Sequence, residues 1–92
     1  MNGKSRRIAD FLEHILAAID PIRRYTVDMD FDGFVASEIT QDAVIRNFEI
    51  IGEACRNIGR IDPGFAARHP KLPLRAATEM RNALAHDYFG AA

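Results

Sequence analysis

Apolar residues recur at steps of three and four along most of this 92-residue chain. Ile8, Phe11, Leu12, Ile15, Leu16 and Ile19 line one face of a helix predicted to start at a Ser5 cap. Ile22 and Tyr25 keep that spacing beyond Pro21, so the helix is expected to run on through the proline with a kink. The stretch "TVDMDFDGF" mixes acids with a glycine and reads as a connection, with one short turn around Phe31 to Ala36. In the next helix Val44, Phe48, Ile51, Cys55 and Ile58 step by 4, 3, 4 and 3 residues, a heptad-like seam that Ala43, Ile50 and Ala54 widen. Thr40 is placed to cap this helix, Asp42 suits its first turn and an i,i+4 pair with Arg46, and Gly59 is placed to end it. Asp62-Pro63 reads as the cap and first residue of a short helix that stops before Pro70. From Pro73 a final helix carries Leu74, Ala77, Met80, Leu84 and Tyr88 on one face, with Gly90 as its stop.

No alternating strand pattern, internal repeat or low-complexity tract interrupts this periodicity. The expected fold is therefore all-α: a small up-down bundle of three main helices plus a short extra helix, in one domain spanning residues 1–92. The long seam of the second main helix exceeds what one small bundle needs, so self-association, most simply as a homodimer, is expected. A chain of this length buries only about 60 to 65% of its unfolded surface, which makes each core residue count.

Composition adds little to the fold and more to the setting. With 48% hydrophobic and 27% charged residues and no apolar run near the roughly 18 residues of a membrane span, a soluble protein with no membrane role is expected. Asp10, Glu13 and His14 interrupt the apolar stretch of the N-terminus, which excludes a signal-peptide pattern there and leads to a cytoplasmic expectation. The single Cys55 can form no internal disulfide, and its place on the apolar seam assigns it to core packing. The net charge of −1 is unevenly spread. Residues 26–55 hold seven acids and one basic side chain, Arg46, whereas residues 56–92 hold six basic side chains and three acids. The C-terminal third can thus attract a phosphate backbone if its cations converge.

Most catalytic chemistries find no support. There is no glycine-rich phosphate loop, no Cys-x-x-Cys, no serine-nucleophile motif, and His14, His69 and His86 lack ligand spacing. Glu49 and Glu53 are i,i+4 neighbours that read as a solvated like-charge pair. The remaining candidate is the last helix. At about 100° per residue, Asn82 and His86 lie about 100° and 140° around the axis from Arg81, while Tyr88 falls about 20° to the other side. Arg81, Asn82 and His86 thus share an edge. Such a set suits cleavage of an RNA phosphodiester by its own 2′-hydroxyl. Histidine as a residue type exchanges protons near neutrality, and Arg81 and Asn82 supply a cation and donors for the developing phosphoryl charge. No metal or other cofactor is called for. A single histidine is poorly suited to be both acid and base, so a second copy across a dimer interface would complete the scheme. Spacing alone also fits an ordinary helix end, where the dipole favours His86 and Asn82 simply faces water.

The wider sequence separates these readings. "RNALAHDY" resembles the Arg-x4-His-x-Tyr signature of the HepT-like toxins of the HEPN superfamily, and "FEIIGEACRNIG", "TQDAVIRN" and "HPKLPLRAATEMRN" resemble that family's flanking segments, so the likeness covers about residues 5–90. The resemblance implies an all-helical, homodimeric, metal-independent endoribonuclease, the toxin of a type VII (HepT/MNT) toxin-antitoxin module. On this resemblance Arg81 and His86 match the catalytic pair and Asn82 the supporting polar position. Tyr88 matches the tyrosine to which an MNT-type nucleotidyltransferase antitoxin adds AMP, a bulky anionic group that would block the cleft and repel RNA. The chain departs from the family pattern at Leu74, where tryptophan is common, and at Glu79, where a small residue is common. On the resemblance, the family's usual further C-terminal helix is expected to be missing from the single domain of residues 1–92. The alternative expectation is a non-catalytic accessory subunit that docks a nucleotidyltransferase and presents Tyr88 to it.

Overall fold

The computed structural model describes residues 3–83 and residue 86. Among these the chain is all-α, with five helices: α1 (Gly3–Thr26), α2 (Phe31–Ala36), α3 (Glu38–Ile61), α4 (Phe65–Arg68) and α5 (Leu74–Ala83). Three main helices were expected and are present. The short elements number two, because Phe31–Ala36 forms a genuine helix rather than a single turn.

Helix α1 runs through Pro21 to Thr26, as the spacing of Ile22 and Tyr25 required. Proline removes the donor for the Ala17 carbonyl, a small loss because Ala17 is exposed and water can serve that oxygen. Ser5 does not cap this helix: helical backbone extends over Lys4 and Gly3, which puts Ser5 inside the first turns. Asp30 caps α2, its Oδ1 accepting from the Gly33 N–H at 2.7 Å. Ser37 then serves two helices. Its N–H donates to the Phe34 carbonyl to close α2, and its Oγ accepts from the Thr40 N–H to open α3. Thr40 is therefore inside α3 and not its cap, since a capping oxygen must precede the amide it accepts by two or three residues. Gln41 Nε2 donates to the carbonyls of Phe34 and Val35, fastening α2 to α3.

Gly59 does not end α3. The helix continues to Ile61 because Ile58 is wholly buried and Ile61 packs on the same core, and the Asp62 N–H caps the final turn by donating to the Ile58 carbonyl at 2.9 Å. Asp62 is thus a C-cap, and the Asp62-Pro63 pair precedes α4 rather than starting it. Asp62 also organises the turn. Its Oδ1 accepts from the Gly64 N–H at 3.2 Å, its carbonyl accepts from the Phe65 N–H, and its carboxylate pairs with Arg68. Arg68 and these bonds hold the Asp62 carboxyl below its ordinary range. The buried Phe65 ring anchors α4.

The core consists of Ile8, Cys55, Ile58, Phe65 and Leu74, with Phe11, Leu12, Ile15, Ile51, Ile61 and Ala77 packed against it. Val44, Cys55 and Ile58 of the seam are buried within the single chain, while Phe48 and Ile51 are half-buried. Burial raises the Cys55 thiol pKa, in keeping with a packing role. Residues of the start of α1 lie beside the end of α3, and Leu74 and Arg81 of α5 lie beside Ile58 and Gly52 of α3 respectively. Both outer helices therefore run antiparallel to α3, the up-down arrangement expected. Between α1 and α5 an apolar groove of about 460 Å³ remains open over Ile51 and Cys55. The side chain of Met80, and Leu84, Tyr88 and Gly90, all assigned to the last helix from its pattern, lie outside the described residues.

Candidate active site

The site begins with a glycine. A Cβ on Gly52 would stand 2.1 Å from Arg81 Cβ and 2.7 Å from the Ala77 carbonyl oxygen, so only glycine lets α5 approach α3 this closely. That approach draws Arg81 over the next residue of α3, Glu53. Arg81 Nη2 lies 3.3 Å from Glu53 Oε2, and Arg56 reaches the other carboxylate oxygen of Glu53 at 3.9 Å. The Arg81 contact is an ion pair without hydrogen-bond alignment. Among the described residues, Arg81 Nε and Glu53 Oε2 are buried without a hydrogen-bond partner. Partly exposed pairs of this kind contribute about 1 kcal/mol or less to stability, so the consequence of this one is chiefly the position of the guanidinium.

On its other side Arg81 Nη1 donates to Asn82 Oδ1 at 3.3 Å. A guanidinium has no acceptor, so this contact selects the oxygen end of the amide and leaves Asn82 its two Nδ2–H donors for other work. His86, four residues beyond Asn82, is exposed. The structure therefore brings Arg81 and Asn82 into contact and leaves His86 accessible, while Tyr88 lies outside the described residues.

Arg81 forms part of the wall of an open cleft of about 270 Å³ between α1 and α3. Arg46, Glu49, Glu53 and Asn57 contribute from α3, and Phe11 and His14 from α1. The His14 ring meets the Phe11 ring edge-on at 5.7 Å between centroids. Sequence reasoning missed two of these. Glu53 reads in the sequence as half of a solvated carboxylate pair, although the glycine immediately before it signals a close helix approach. His14 reads in the sequence as an interruption of the N-terminal apolar stretch and as a histidine without ligand spacing, and no periodic pattern links it to Arg81 some 67 positions later. Among the described residues no three His, Cys, Asp or Glu side chains are grouped to hold a metal ion.

A small all-α bundle in which a close helix contact at Gly52 sets Arg81 in the wall of an open cleft, with Asn82 beside it, is the class of protein that the described residues define. The chain belongs to the HepT-like family: the family model described as "Ribonuclease HepT-like" matches residues 15–91, and the relatives below agree with it. The chain is 44% identical over 81 residues to the "Probable ribonuclease HepT" of Thermococcus cleftensis, covering 88% of this chain and 71% of that one. It is 42% identical over 80 residues to a "Gamma-glutamylcyclotransferase and putative RNase" of Methanocaldococcus jannaschii, covering 87% of this chain but 35% of that longer one. A "Putative RNase" of the same organism is 40% identical over 80 residues, 87% of this chain and 64% of its own. No solved structure matches the chain. No helix among the described residues is long and apolar enough to cross a membrane.

Proposed function

We propose that this protein is a metal-independent endoribonuclease that cuts RNA at the Arg81–Asn82–His86 edge, acting as the toxin of a HepT/MNT-type module in the cytoplasm. The carrying observation is the placement of Arg81: a guanidinium in a cleft wall, paired with Glu53 and directly joined to Asn82, with an exposed His86 five residues further on in the sequence. Arg81 and the amide of Asn82 stabilise the charge that builds on the phosphoryl oxygens as the 2′-oxygen attacks. His86 exchanges the proton at the attacking or leaving oxygen. A homodimer supplies the second histidine. Tyr88 is the handle for inhibition, since AMP added there by a nucleotidyltransferase partner places a bulky anion where RNA must enter. That the family and its Thermococcus cleftensis member are named for ribonucleases supports an RNA substrate.

The test is incubation of RNA in EDTA with wild-type and His86→Ala protein, each checked by mass spectrometry for AMP on Tyr88. Cleavage by the unmodified wild type alone is expected. Intact RNA with both proteins, Tyr88 being unmodified, refutes the nuclease reading and favours the accessory subunit.

A further inference from the structure

The cleft beside Arg81 does not end there. Phe11 and Asn57, which line it, also line a second cleft of about 730 Å³ between the first turns of α1 and the last turns of α3. The ionised side chains lining that second cleft are Lys4, Arg7 and Arg60, without a carboxylate among them. All three are exposed, and none takes part in an ion pair among the described residues, unlike Arg24, Arg56, Arg68 and Arg81. Of the acids nearby, Asp62 feels the charge of Lys4 but is already engaged by Arg68, and Asp10 and Glu13 share a neighbouring cleft with Arg7 without lining this one.

The arrangement follows from helix geometry. Lys4, Arg7, Phe11 and His14 are spaced 3, 4 and 3 on α1, and Glu53, Asn57 and Arg60 are spaced 4 and 3 on α3, so each set forms one row. The helices are antiparallel, which lays the two rows side by side as the banks of one groove. Seven residues at about 1.5 Å of rise separate Arg60 from Glu53 by about 10 Å, roughly the length of three stacked nucleotides at about 3.4 Å each. Around Arg81 the groove carries both signs, Arg46 and Arg81 against Glu49 and Glu53; at its far end it carries only positive charge. The α3–α5 face, which Arg60 also borders, holds Arg56 and Arg75 as well, but Glu79 stands among them.

We propose that the α1–α3 groove is an RNA-binding track in which Lys4, Arg7 and Arg60 hold the phosphate backbone of the strand a few nucleotides from Arg81. This rests on the ribonuclease reading for the identity of the ligand. The contacts are to phosphate and so carry no base preference.

The test is fluorescence anisotropy of a labelled single-stranded RNA 12-mer, titrated with full-length protein across a salt series. The parent carries His86→Ala, which separates binding from cleavage. Adding Lys4→Gln, Arg7→Gln and Arg60→Gln keeps the side-chain stems at exposed positions. Three lost phosphate contacts lower the slope of log affinity against log salt by about 2 and weaken binding at least about tenfold at low salt. A control with Arg6→Gln, Arg23→Gln and Lys71→Gln makes the same change in net charge away from the groove and leaves the slope near that of the parent. The proposal is overturned if the groove variant keeps the parent's slope, if the control loses as much, or if the parent binds no RNA. Binding through the groove by a protein whose wild type leaves RNA uncut would refute the nuclease reading and leave the track standing.

Discussion

Gly52→Ala and Gly59→Ala form a matched pair on one helix, seven residues apart, with opposite expected outcomes. Replacing an interior helical glycine by alanine ordinarily stabilises a helix by about 0.5–1 kcal/mol, because alanine loses less backbone freedom on folding. At Gly59 a new Cβ meets nothing within 4 Å, so the gain is expected in full. At Gly52 the new carbon would stand 2.1 Å from Arg81 Cβ, and carbon atoms in contact prefer about 3.5 Å. It would also stand 2.7 Å from a backbone oxygen of Ala77, which no rotamer change can move. Helix α5 must therefore withdraw by about 1 Å or more. Overpacking of this kind costs about 1–3 kcal/mol, which outweighs the propensity gain and leaves Gly52→Ala less stable by up to about 2 kcal/mol. For a domain of this size each kcal/mol moves the melting temperature by about 4–8 °C. Thermal unfolding followed by circular dichroism should place Gly59→Ala above the wild type and Gly52→Ala several degrees below it. A Gly52→Ala protein that melts at or above the wild type, with Gly59→Ala behaving normally, would refute the close packing of α5 on α3 and with it the placement of Arg81.

Three further outcomes are expected. Glu53→Gln keeps the shape of the side chain but frees Arg81 from its ion pair; in single-turnover RNA cleavage the rate should fall by up to about 10²-fold through loss of orientation while RNA binding tightens, and a faster rate would show that Glu53 only screens Arg81. Ile58→Ala empties the most buried side chain of the core and should cost about 2–5 kcal/mol in urea unfolding, against about 0.5–1.5 kcal/mol for Ile58→Val; equal, small losses would contradict its burial. Because the Arg68 guanidinium holds the Asp62 carboxyl below its ordinary value of 3.8 in the folded state, its contribution is present above that pH and lost as the pH falls through the lower folded value. A carboxyl NMR titration with its midpoint below 3.8, shifting upward in Arg68→Ala, checks this, and an unshifted midpoint would contradict the Asp62–Arg68 pair.

The periodicity of the chain was enough to place α1, α3 and α5, because burying an amphipathic helix requires apolar residues at three- and four-residue steps, and Ile8, Cys55, Ile58 and Leu74 stand where that rule put them. The positions of the helix ends were less legible. Thr40 and Gly59 have the right chemistry for ends, but Ser37 reaches the Thr40 amide first, and the packing of Ile61 draws α3 past the glycine. The candidate site divides in the same way. Arg81, Asn82 and His86 were recognisable as a set because they lie within six residues of sequence and resemble a family signature. Glu53, His14, and the group of Lys4, Arg7 and Arg60 were not, because they come from helices distant in sequence: the α1 and α3 residues meet through antiparallel packing, and Glu53 meets Arg81 through the close approach of α5 at Gly52. Local sequence determines what each helix presents on its faces; which faces meet is decided by side-chain volume at the crossings, and where α5 crosses α3 that is the absence of a single Cβ at Gly52.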